Sequence, residues 1–139
     1  MAYLNAYLRF DGNCREAMTF YKECLGGDLN LQAVEDTPMA KQMPAEAQKK
    51  IIHSVLTKDG VPLLMASDMI DAEGRKNGNA IALSLNCGSA EEIKTLFAKL
   101  ASGGQITSAL KEEFWGGMFG TLTDKFGNEW LLNYEKPKT

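Results

Sequence analysis

The chain has 139 residues, 45% hydrophobic and 24% charged, with 15 basic and 18 acidic side chains for a net charge of −3. That length can bury a real core within one domain, and the balance is that of a soluble globular protein. The longest basic run, Lys49-Lys50, offers no footprint for nucleic acid or an anionic membrane.

Met1-Ala2-Tyr3-Leu4-Asn5 carries neither the basic nor the apolar segment of a secretory signal. No apolar run approaches the roughly 18 residues of a membrane helix, so the expected compartment is the cytoplasm. Cys14, Cys24 and Cys87 lack CxxC spacing. Cys24 falls on an apolar helix face, whereas Cys14 and Cys87 sit near helix starts, where a thiolate is favoured.

Tyr3 to Phe10 reads as a strand ending at Asp11-Gly12. Asn13 is a good N-cap with Glu16 at the third helical position, as in a capping box. Ala17, Phe20, Tyr21 and Cys24 then recur as one face of a helix, and Gly26-Gly27 stops it. Leu29, Leu31 and Ala33 alternate with Asn30, Gln32 and Val34 in a half-buried strand. Asp36 to Lys50 is a polar loop with one helical turn from Ala45 to Lys49. Ile51 to Lys58 and Val61 to Ala66 form a hairpin through Asp59-Gly60, with Pro62 early in the second strand. Asp68 to Gly78 is a polar linker, where Asp68 and Asp71 are either cation ligands or solvated carboxylates.

Asn79 to Leu85 is the next strand and Ser89 the next N-cap. Ile93, Leu96, Phe97 and Leu100 form a second helix face ended by Gly103-Gly104. A short strand from Gln105 to Ala109, a loop from Glu112 to Gly117, and strands Met118–Thr123 and Glu129–Asn133 complete the chain. The two halves repeat one pattern. With Gly12 laid on Gly88, Glu16 falls on Glu92, Thr19 on Thr95, Phe20 on Leu96, Tyr21 on Phe97 and Cys24 on Leu100. Gly60-Val61-Pro62-Leu63-Leu64 likewise parallels Gly127-Asn128-Glu129-Trp130-Leu131.

The expected fold is therefore α+β: two paired βαβββ modules, about residues 3–68 and 79–135, within one domain over residues 1–139. Edge to edge they would make a curved mixed sheet with helices outside and a cleft on the concave face, the usual kind of ligand site. Candidates to face it are Asn5, Tyr7, Arg9, His53, Ser84 and Trp130, of which alternation admits about half.

The stretches Tyr7-Leu8-Arg9-Phe10-Asp11-Gly12-Asn13-Cys14 with Phe20-Tyr21, Ile52-His53, Phe114-Trp115, Phe119-Gly120 and Thr123-Asp124-Lys125-Phe126-Gly127 with Trp130 carry a resemblance. From about residue 3 to 135 the chain resembles the vicinal oxygen chelate superfamily of glyoxalase I, bleomycin-resistance proteins and extradiol dioxygenases. Within it the chain is similar to the PhnB-like proteins, some of them labelled 3-demethylubiquinone-9 3-methyltransferases. The resemblance implies paired βαβββ modules and a homodimer. It also implies a divalent metal held by His and Glu from four inward strands, with positions left open for two substrate oxygens. Those ligand positions fall near Asn5, Leu64, Ala80 and Leu131, and none of these is His or Glu. The methyltransferase label fares no better. Asp11-Gly12-Asn13 is too short for the glycine-rich turn of an S-adenosylmethionine domain.

His53, the single histidine, is either a cleft acid–base group or a strand histidine hydrogen-bonded in place. Phe114-Trp115-Gly116-Gly117 is either an aromatic wall with a glycine hinge or a loop packed over core or dimer interface. Trp130 suits a core position, and Asp124 with Gly127 reads as turn chemistry. The expectation is a protein that binds a small organic molecule without catalytic metal or cofactor. Asn5, Tyr7, His53, Ser84, Phe114 and Trp115 line its cleft. The alternative is a divalent-metal-dependent lyase, isomerase or dioxygenase with atypical ligands such as His53, Asn5 and an aspartate.

Overall fold

The computed structural model describes residues 2–69 and 75–137. Asp71 of the expected linker lies outside them. The chain divides into two compact units, residues 1–76 and 77–139. In the first, β1 (Tyr7–Phe10), α1 (Cys14–Leu25), β2 (Asp28–Ala33), β3 (Ile51–Lys58) and β4 (Val61–Asp68) follow in order. In the second, β5 (Leu83–Cys87), α2 (Ala90–Ala101), β6 (Gln105–Glu112), β7 (Met118–Thr123) and β8 (Glu129–Tyr134) do the same. The sheets have the strand orders β1-β4-β3-β2 and β5-β8-β7-β6. In each, the first strand pairs parallel to the fourth while the others pair antiparallel. The fold is thus α+β, built from one βαβββ topology used twice.

In the first unit α1 buries Cys14, Ala17, Met18, Tyr21, Cys24 and Leu25, the stripe a 3.6-residue period sets out. Phe20, expected on that face, is half-buried beside it. The stripe packs on Phe10, Ser54, Leu56, Leu64 and Ala66, all buried residues of the sheet. Each large apolar side chain enclosed this way contributes about 1.5–3 kcal/mol. In the second unit Ile93, Phe97 and Leu100 of α2 meet Leu122, Trp130 and Leu132. Gly120 is required there, because a Cβ on it would stand 2.8 Å from the Phe97 ring.

The two helix starts are built differently. Ser89 Oγ accepts the Glu92 N–H at 3.0 Å and the Glu92 carboxylate accepts the Gly88 N–H at 2.7 Å. That is a reciprocal cap. The box expected at Asn13 and Glu16 does not form, and Asn13 makes no side-chain cap bond. Asp68, 4% exposed at the end of β4, takes over. Its Oδ1 accepts the N–H groups of Gly12 and Cys14, and its Oδ2 that of Ile51, each at 2.9 Å. One buried carboxylate therefore caps α1 and ties it to the start of β3. Asp68 is neither a solvated linker residue nor free to serve as an exposed cation ligand.

Several boundaries move. β1 begins at Tyr7, and only the Ala6 carbonyl before it joins the ladder, accepting from Met65 N–H at 3.1 Å. Tyr3 and Leu4 are 82% and 98% exposed. β5 begins at Leu83, which leaves residues 79–82 outside the strand, and Ile81 is 84% exposed. β6 runs on to Glu112 as an edge strand broken by two register shifts, so no clean alternation marks it. The loop after β2 holds three 3-10 turns, Val34–Asp36, Pro38–Gln42 and Ala45–Ala47. Gln48 organises them by donating from Nε2 to the carbonyls of Ala40 and Met43 at 2.9 Å. Among the described residues no helix is long and apolar enough to cross a membrane.

Candidate functional site

Strand alternation sends one set of residues in each sheet under the helix and the other to the open face. In the first unit the register aligns Tyr7 with Met65, Met65 with Val55, and Val55 with Asn30. Two residues along each strand on the same face, Arg9 aligns with Ser67 and His53 with Gln32. Tyr7, Arg9, Asn30, Gln32 and His53 are exposed there.

Tyr7 and His53 come from strands separated by β4, yet their side chains meet. The Tyr7 hydroxyl lies 3.1 Å from His53 Nδ1. The rings stack with centroids 5.8 Å apart and planes 23° from parallel. Beside them is a groove of about 350 Å³ lined by Asn30, Leu31, Gln32, Asp36, His53 and Val55. It falls within the range of small-molecule sites. Its polar wall was absent from the sequence expectation. The signal was the alternation of β2, whose inward Leu29, Leu31 and Ala33 leave Asn30 and Gln32 pointing outward. Asp36 joins them from the 3-10 turn that follows β2.

Asn5 lies just before β1 and is half-buried. Ser84 lies on the open face of the second sheet, aligned with Leu131; next along that face Asn133 donates to Asn86 at 3.5 Å. Phe114 and Trp115 form the tip of the β6–β7 hairpin. Glu113 N–H donates to the Gly117 carbonyl at 2.8 Å and Gly116 N–H to the Glu113 carbonyl at 3.0 Å. Phe114 is 99% exposed. Trp115 folds over Gly117, where a Cβ would overlap its ring. Trp130 is not on an open face. It is 3% exposed under α2 and donates from Nε1 to Asp124 Oδ2 at 2.8 Å. Asp124 is itself buried, and its Oδ1 accepts the N–H groups of Phe126 and Asn128, the expected turn chemistry.

The metal positions implied by the resemblance do not supply a donor set. Leu64 is buried beneath α1 with its side chain off the open face, where Leu63 and Met65 stand instead. Ala80 is exposed before β5, and Leu131 lies half-buried on the open face. Alanine and leucine have no lone pair to offer, and an asparagine carbonyl alone holds no divalent ion. Among the described residues no three His, Cys, Asp or Glu side chains cluster where they could hold a metal. The two thiols near the helix starts are not activated either. Burial pushes Cys14 up to about 11, against the pull of its Ser54 contact, and burial with the Glu92 charge pushes Cys87 up to about 11. Desolvation thus outweighs the helix-start effect expected at both positions.

Comparison with known proteins agrees with this architecture. Residues 3–132 match the Glyoxalase/Bleomycin resistance protein/Dioxygenase superfamily. Protein YjdN of Escherichia coli is 32% identical over 96% of this chain and 95% of its own length. The crystal structure of protein PA1353 from Pseudomonas aeruginosa is 37% identical, with TM-score 0.85 over 99% of this chain and 100% of that one. A PhnB protein from Bacillus cereus, described as a candidate 3-demethylubiquinone-9 3-methyltransferase, is 27% identical with TM-score 0.73, covering 96% and 99% of the two chains. The twofold βαβββ topology and these matches together make the chain a PhnB-like member of the glyoxalase/bleomycin resistance/dioxygenase superfamily.

Proposed function

We propose that this protein binds a small organic molecule on the open face of its first sheet, in the groove beside Tyr7 and His53, without a catalytic metal. The observation that carries the reading is the Tyr7–His53 pair, hydrogen-bonded at 3.1 Å at the edge of a groove with amide, imidazole and carboxylate groups. A few convergent polar groups in a concavity are what orient a ligand. The donor-poor residues at Asn5, Leu64, Ala80 and Leu131 favour organic rather than metal recognition.

On this reading the working form is a cytoplasmic homodimer. Cys14, Cys24 and Cys87 stand as thiols, which suits a reducing compartment. The strongly exposed Leu4, Ile81 and Phe114 are apolar surface that a second copy would cover.

The test is mass spectrometry of small molecules released from natively purified protein, run beside metal analysis and sedimentation. The expected result is a released organic molecule, depleted in His53→Ala, at less than stoichiometric metal and at the mass of two chains. Stoichiometric zinc, nickel, manganese or iron, with a reaction lost on chelation, sinks this reading in favour of the metal-dependent alternative.

A further inference from the structure

We infer that the groove of the first unit selects a small organic cation, a protonated amine on an apolar or aromatic body, and that Asp36 sets this choice. The inference rests on the binding reading above and names the chemical class that the same groove takes.

The lining is one-sided in charge. Asp36 is its carboxylate, and no lysine or arginine stands with it around the 350 Å³ groove. Among the described residues no ion pair neutralises the Asp36 side chain. An anion in the groove meets repulsion from this carboxylate. An ammonium group meets acceptors: the two Asp36 oxygens and the side-chain carbonyls of Asn30 and Gln32. Ammonium has three N–H donors and no acceptor, so this set matches it. A neutral hydroxyl can use the same groups, but without the added strength of a charged donor on a carboxylate. Val55 and the His53 ring offer surface to the carbon skeleton.

The carboxylate stands on a braced turn. Val34, which begins the 3-10 turn Val34–Asp36, is fully buried. Its N–H donates to the Lys50 carbonyl at 2.9 Å, and the Glu35 N–H donates to the Gln48 carbonyl at 2.8 Å. Beyond Asp36, Thr37 donates to the Val34 carbonyl from its N–H at 3.0 Å and from its hydroxyl at 2.8 Å. These bonds hold the backbone on both sides of Asp36, so little ordering is left for the ligand to impose. The turn belongs to the segment 34–50 between β2 and β3, whereas the second unit joins β6 to β7 through residues 113–117. The charged wall is therefore an addition to the first unit and no part of the repeated pattern.

The experiment uses three molecules that share one ring and differ in charge: benzylamine, benzyl alcohol and benzoate. Each is titrated into the 15N-labelled whole chain near neutral pH with EDTA present, after exhaustive dialysis, and amide shifts report both Kd and location. Benzylamine should bind about five- to tenfold more tightly than benzyl alcohol, the scale of one charge-assisted hydrogen bond at a partly open site. Benzoate should bind most weakly. The shifts should centre on Asn30, Gln32, Asp36 and His53. Asp36→Asn should bring benzylamine down to the affinity of benzyl alcohol and leave benzyl alcohol unchanged. Glu35→Gln removes the same charge one position away, outside the lining set, and should keep the wild-type preference.

Equal affinities, tighter benzoate or shifts centred elsewhere overturn the proposal. So does a preference that survives Asp36→Asn, or one lost equally in Glu35→Gln. Loss of benzyl alcohol binding in Asp36→Asn also overturns it, because the residue would then shape the groove rather than select charge. Absence of binding by all three does the same. If natively purified protein still releases a molecule that His53→Ala lacks, the charge class falls and the binding reading stands.

Discussion

Removing the Asp68 carboxylate should be among the most damaging single changes in this protein. Asp68 is 4% exposed and accepts three backbone N–H groups, those of Gly12, Cys14 and Ile51, each at 2.9 Å. A hydrogen bond to a charged group contributes about 1.5–3 kcal/mol, and a buried donor left without a partner costs about 1–3 kcal/mol. Three such bonds sharing one carboxylate are not additive, so Asp68→Ala should cost roughly 4–6 kcal/mol. That is a large part of the roughly 5–15 kcal/mol that holds an ordinary domain. Asp68→Asn keeps one carbonyl oxygen for Gly12 and Cys14 but turns an NH2 toward the Ile51 N–H, so about 2–3 kcal/mol should go. Urea denaturation followed by far-UV circular dichroism reads the totals. Hydrogen exchange reads the cause, because protection should fall first at the amides of Gly12, Cys14 and Ile51. An Asp68→Ala protein within about 1 kcal/mol of wild type would refute the argument, as would one whose lost protection lies elsewhere.

Trp130→Phe keeps the ring under α2 but removes the 2.8 Å donor to Asp124, which should cost about 1.5–3 kcal/mol in chemical denaturation; a change near zero would show that the bond contributes nothing net. Gly27→Ala meets two penalties, a φ of +98° and a Cβ 2.5 Å from the Thr57 carbonyl oxygen, and should destabilise by more than about 2 kcal/mol. Gly12→Ala, at φ +94° in open space, should cost only the backbone part, about 1 kcal/mol; equal losses at the two sites would refute the contact argument. Cys14 has a folded pKa raised from 9.0 to about 11, so the folded state keeps a proton that the unfolded chain releases. Its contribution is complete below pH 9.0 and is lost as pH rises toward about 11. Stability of wild type should therefore fall through that window more steeply than that of Cys14→Ala, by up to about 1.4 kcal/mol per pH unit. Parallel slopes would contradict it.

The repeated caps, helix faces and glycine stops were legible along the chain because they are local: a 3.6-residue period, an alternation of two and a turn glycine each act within a few residues. They placed both helices and the strand count of each unit. Local signals failed where a distant group substituted for a near one. Asn13 and Glu16 have the spacing of a capping box, yet the start of α1 is held by Asp68, 55 positions beyond Asn13 in the numbering, which accepts the Gly12 and Cys14 N–H groups instead. They failed again at β6, whose register shifts erase the alternation, and at the first residues of β1 and β5, which begin later than the apolar run in the sequence suggests.

The candidate site divides in the same way. Tyr7 and His53 could be named as chemistry-bearing residues from their types and their alternation within strands. That they touch was decided by the sheet order β1-β4-β3-β2, which sets β4 between them and turns both to the same face. The assignment of Leu64 beneath α1 and of Trp130 beneath α2 was likewise decided by which parity of each strand the helix covers. A sequence carries the period of its own burial. Which side of the sheet that burial lies on, and which distant residue stands opposite, depends on how the strands pair, and that is set by contacts between segments far apart in the chain.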